Sequence, residues 1–76
     1  MSKAPLHALH GFVQAARLRN LSHAAAAMHL TVSALSHQLR QLEQRLGRRL
    51  FERGPRGVSL TADGEQLFER IAPHLD

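Results

Sequence analysis

No cysteine occurs in the 76 residues, which excludes disulfides and thiolate metal sites and suits a reducing compartment. No apolar run approaches the roughly 20 residues that a membrane span needs. The opening MSKAPLHALHG also lacks the apolar core of a signal peptide. The expectation is a soluble, cytoplasmic chain. A polypeptide this short forms one domain near the lower limit for independent folding, burying about two-thirds of its unfolded surface. It has no room for a second, ligand-sensing domain. No internal repeat or low-complexity segment is present.

Acidic residues are scarce where basic ones gather. From Arg40 to Arg56 six arginines stand against only Glu43 and Glu52, an excess equal to the formal net charge of +4 for the whole chain. Arginine suits phosphate because its planar guanidinium makes paired hydrogen bonds. An isolated basic run is more often a solvated face. Beside a helix-turn-helix pattern, a nucleic-acid surface becomes the better reading.

That pattern lies between residues 21 and 40. Pro5 suits a first helical turn, and Leu6, Leu9, Phe12, Val13 and Ala16 recur at helical spacing to about Arg19. Asn20 is a candidate left-handed stop, and Ser22 a candidate cap for a second helix from His23 to about Met28. His29 and Leu30 make the turn. Thr31 caps a third helix that runs from Val32 to about Leu46 and stops at Gly47.

The third helix has two chemically different sides. Advancing about 100° per residue from Ser33 puts Ser36, His37 and Arg40 within roughly 60° of it. Leu35, Leu39, Leu42 and Leu46 fall opposite. This leucine stripe is too short for a zipper and reads as core. The small, polar and basic side fits a DNA major groove.

After Gly47, residues 49–53 and 57–60 are short extended candidates around the Gly54-Pro55-Arg56-Gly57 turn. Leu50, Phe51, Val58 and Leu60 give such a hairpin an apolar side for packing. Thr61 then caps a fourth helix with Asp63 and Glu65 in its first turn. Leu67, Phe68, Ile71 and Leu75 form its stripe, open between core and dimer seam, with Leu67 and Ile71 expected to serve both. Pro73 should kink or end that helix. The fold class is mainly α: a winged helix-turn-helix of three helices and a small β-hairpin wing, followed by a further helix. Residues 1–60 form the DNA-binding unit, with the helix-turn-helix at about 21–40 and the wing at about 50–60. Residues 61–76 begin the further helix.

Six histidines raise the question of a metal. His7 and His10 are three apart, but no carboxylate or cysteine accompanies them, and the other four show no ligand spacing. No metal and no cofactor are expected. Ser22 with His23 and Ser36 with His37 are sequence neighbours that diverge on a helix, so no catalytic pair forms and no enzyme is expected.

Four motifs in order carry a family resemblance: Ala34-Leu35-Ser36-His37-Gln38-Leu39, Leu42-Glu43-Gln44-Arg45-Leu46-Gly47, Leu50-Phe51-Glu52-Arg53 and Leu60-Thr61-Ala62-Asp63-Gly64. Over Leu6 to Phe68 the chain resembles the N-terminal DNA-binding domain of LysR-type transcriptional regulators. Its Ser-His-Gln form and Gly-Pro-Arg-Gly wing resemble the subgroup containing the glycine-cleavage and β-lactamase regulators. The resemblance implies a bacterial homodimer whose recognition helices enter successive major grooves of an interrupted dyad site. It also implies that the fourth helix begins a linker helix for dimerisation through Leu67, Phe68, Ile71 and Leu75. An effector-binding domain would follow in a full-length member, so the chain is expected to be an excised or truncated reader.

Thr31, Val32, Ser33, Ser36, His37 and Arg40 form the expected base-reading and groove-lining set. In the family, the position of Val32 commonly holds glutamine, which can pair with adenine; valine could only touch a thymine methyl or pack internally. Ser22 and His23, at the start of the second helix, are expected at a phosphate. By resemblance Arg53 would meet phosphates and Arg56 would lie along the minor groove. Arg48 and Arg49 add to the general field. The competing reading is a winged-helix protein-interaction module that docks acidic partners on the arginine segment.

Overall fold

Residues 6–55 and 57–75 are described by a computed structural model. Pro5, expected in the first helical turn, and Arg56, expected at the wing tip, lie outside the described residues. Four helices and one hairpin follow in the order α1 (Leu6–Leu18), α2 (Leu21–Ala27), α3 (Val32–Leu46), β1 (Phe51–Gly54), β2 (Gly57–Leu60) and α4 (Ala62–Leu75). No described helix is long and apolar enough to cross a membrane.

The corner between α1 and α2 differs from the sequence expectation. Arg19, not Asn20, takes the left-handed conformation, at φ 55°. Asn20 is extended and caps α2, its side-chain oxygen accepting the His23 N–H at 2.9 Å. Helix α2 therefore starts two residues early, and Ser22 sits exposed in its first turn rather than at its cap. Asparagine caps as well as serine does, and the earlier start brings half-buried Leu21 onto the core. It also frees the Arg19 carbonyl, which accepts the Val58 N–H of the hairpin at 3.4 Å.

Both ends of the α2–α3 turn are closed locally. His29, at φ 58°, takes the left-handed position of a Schellman motif. There the Leu30 N–H reaches the Ala25 carbonyl at 2.8 Å and the His29 N–H reaches Ala26 at 3.1 Å. Thr31 then caps α3, its Oγ1 accepting the Ala34 N–H at 3.0 Å. Gly47, left-handed at φ 68°, stops α3 with the same bond pattern.

The core sits where α1, α3 and the hairpin meet. Phe12 of α1 is fully buried and stacks at a tilt on Phe51, with ring centroids 5.3 Å apart. Leu35, Leu39 and Leu42 are buried as the leucine stripe predicts. Leu46, the last residue of α3, is 45% exposed. The strands pair antiparallel, Phe51 with Leu60 and Arg53 with Val58. Pairing begins at Phe51 rather than Arg49, and Leu50 is buried just before it.

Helix α4 packs against α1 and joins the same core through buried Ala72, with Leu67, Phe68, Ile71 and Leu75 half-buried against it. Arg17 lies over the Phe68 ring, 5.9 Å from its centroid. Thr61 works twice at the start of α4. Its hydroxyl donates to the Arg49 carbonyl at 2.6 Å and accepts the Gly64 N–H at 3.0 Å. The helix continues through Pro73 to Leu75, so proline does not end it at the preceding residue; in the last turn it forgoes only one N–H bond.

Candidate nucleic-acid interface

The N-terminal half of α3 keeps one side open. Thr31, Val32, Ser33, His37 and Arg40 are all exposed, Val32 at 42%. Arg40 makes no side-chain hydrogen bond or ion pair with another described residue. Ser36 departs from this group. The residue is 6% exposed, and its Oγ accepts from Arg53 Nη2 at 3.4 Å. The helical step puts Ser36 on the open side, but the hairpin leans over it. Gln38 is half-buried near Gly11 of α1.

Alternation along β1 explains the reach of Arg53. Phe51 and Arg53 point to one face of the hairpin and Glu52 to the other. That face carries buried Phe51 and Val58 onto the core. Beyond the core's edge it leaves Arg53 exposed, with its guanidinium turned toward α3. Ser22 and His23 are exposed at the start of α2.

Between α3 and the hairpin runs a groove of about 730 Å³. Leu39, Phe51 and Val58 form its floor, and Arg40, Arg48, Arg49 and Arg53 line its sides. Besides Arg53, which donates to Ser36, two of these cations are engaged with their surroundings. Arg48 pairs with Asp63 of α4 at 2.9 Å, and Arg49 donates to the Phe51 carbonyl at 3.4 Å. The one carboxylate in the groove, Glu43, accepts the backbone N–H groups of Leu50 and Phe51 at 2.8 and 3.2 Å. Its charge is thereby turned onto the wing root, and the sides stay basic.

Glu43 was not legible as a functional position, since its partners are backbone groups with no mark in the sequence. The hint available was its place seven residues after Ser36, two turns along the same side of α3. Asn20 carried a clearer signal. It stands three residues before His23, the spacing of a cap to the N–H it serves.

Comparison with known proteins gives a consistent picture. A family model described as bacterial regulatory helix-turn-helix protein, lysR family, matches residues 6–65. The chain is 44% identical over 79 residues to the HTH-type transcriptional activator AmpR of Pseudomonas aeruginosa, covering 95% of this chain and 27% of that protein. A BenM DNA-binding domain solved in complex with catB site 1 DNA superposes with a TM-score of 0.87 at 30% identity, covering 96% of this chain and 80% of that one. A CbnR DNA-binding domain in complex with DNA gives 0.85 at 32% identity, covering 96% and 83%. The chain spans about a quarter of the length of the curated relatives it matches. By the extent of the family match and the identity of its relatives, the chain belongs to the LysR family of bacterial regulatory helix-turn-helix proteins.

Proposed function

We propose that the chain binds double-stranded DNA sequence-specifically and thereby regulates transcription in a bacterial cytoplasm. Helix α3 enters the major groove, and the wing meets the minor groove or the backbone. One observation carries this reading: α3 builds the core with its leucine side while its opposite, polar side stays exposed at every member but Ser36, beside an arginine-lined groove. Side chains of this size on an exposed helix reach base edges, and the flanking cations are of the sign that neutralises backbone phosphates. DNA-bound relatives with the same fold support it.

In this reading Thr31, Val32, Ser33, His37 and Arg40 face bases or line the groove, while Ser22, His23 and Arg53 serve the phosphates. Residues up to about Leu60 form the reading unit, and α4 begins the linker. Two copies join through Leu67, Phe68, Ile71 and Leu75, which the core covers only in part, and bind an interrupted dyad site. The chain carries out no chemistry, in keeping with relatives named as transcriptional regulators.

Selection of bound sequences from a random duplex pool, followed by salt titration of the binding, tests the proposal. A defined half-site and a steep loss of affinity with salt are expected. Failure to bind any duplex at low salt overturns it.

A further inference from the structure

Ser36 and Glu43 lie on one side of α3, two turns apart, and both touch the wing. Glu43 holds its root through the Leu50 and Phe51 N–H groups. Ser36 meets it further out, at the Arg53 guanidinium. The hairpin register, with Arg53 opposite buried Val58, fixes that guanidinium on the face turned to α3. A 6% exposed serine offers little hydroxyl surface to a base edge. What it can do is accept a bond from a cation that is itself exposed.

We propose that Ser36 is a positioning residue which holds Arg53 beside the recognition helix, and that it does not itself read a base. The inference rests on the DNA-binding reading and deepens it. A guanidinium has more donors than one serine can use, so the remaining N–H groups of Arg53 stay available for a phosphate. An arginine already held near its working geometry loses less rotamer freedom on binding. Specificity at α3 then comes from the exposed residues around Ser36, and Ser36 sets affinity through the wing.

The test is equilibrium binding of the 76-residue chain to two labelled duplexes of equal length, one selected by the wild type from a random pool and one of mixed sequence. Wild type, S36A, R53A and the S36A/R53A double variant are compared over a salt series. S36A is expected to weaken binding to both duplexes by a similar factor, about three- to tenfold. Its salt dependence becomes shallower by up to about one counterion. The double variant binds no more weakly than R53A alone, because one interaction has been removed twice. A loss confined to the selected duplex, with one base position relaxed, overturns the inference in favour of base reading. Multiplying losses in the double variant overturn it as well. A wild type that binds neither duplex at low salt overturns the DNA-binding reading and this inference together, an outcome separable from the other two.

Discussion

The Glu43 carboxylate accepts the Leu50 N–H at 2.8 Å, so a side chain of α3 occupies the backbone donor that opens the wing. The same oxygen also accepts the Phe51 N–H at 3.2 Å. From the other side, the Leu50 carbonyl accepts the Thr61 N–H at 3.0 Å, at the entrance to α4. Three elements converge on one buried residue. A change at this junction should therefore be felt in stability before it is felt in DNA contacts.

Replacing Glu43 by alanine leaves two partly buried N–H groups without their acceptor. A loss of about 2–3 kcal/mol is expected, since bonds to a charged acceptor are the costly ones to remove. Replacement by glutamine keeps one acceptor oxygen and should cost less. Urea unfolding of both variants measures the difference, and equal, negligible losses would contradict the junction's importance.

Gly64 and Gly54 form a matched pair. A Cβ on Gly64 would meet the Leu50 carbonyl oxygen and stand 3.0 Å from Leu60 Cδ2, whereas one on Gly54 would meet nothing within 4 Å. Gly64→Ala should destabilise by about 1–3 kcal/mol through overpacking against backbone. Gly54→Ala should stay within about 0.5 kcal/mol of the wild type. Thermal melts of the two variants side by side decide it.

Capping at Asn20 separates stability from binding. Asn20→Ala is expected to cost about 1 kcal/mol, the usual value of a lost cap. Ser22→Ala, inside the first turn and exposed, should change stability by less than about 0.5 kcal/mol. If the serine variant proves the less stable of the two, the cap is misassigned.

Val32 is the position where a polar contact can be added without disturbing the core, being 42% exposed at the first residue of α3. Val32→Gln is expected to introduce a preference for adenine at one position of each half-site, with about 1–3 kcal/mol of discrimination. Selection from random duplexes with both proteins reads this directly. Identical selected sequences would place Val32 away from the bases.

The Thr31 cap, the Gly47 stop, the His29–Leu30 turn and the two-strand wing all follow from the chain read in order. Each depends on partners within a turn of helix or across a tight turn, where residue identity and spacing suffice. That local logic read Asn20 as a left-handed stop and Ser22 as the cap, although asparagine caps as well as serine does. What separated them was distant: the position of Leu21 on the core and the Arg19 carbonyl offered to Val58.

Periodicity placed Leu35, Leu39 and Leu42 in the core and left the other side of α3 polar. The same periodicity set Leu46 inside and Ser36 outside, and both are reversed. A helical wheel reports direction around an axis; it carries no information about where a neighbouring element ends or leans. Leu46 ends α3 and stays exposed, and the wing covers Ser36. Local hydrogen bonds and the helical repeat were thus enough for the elements and the polar face. The bond from Arg53 to Ser36, the Glu43 hold on Leu50, and the burial of both partners' surroundings exist only once residues 17 and seven positions apart are folded together, because such contacts depend on packing and strand register rather than on the spacing of residue types.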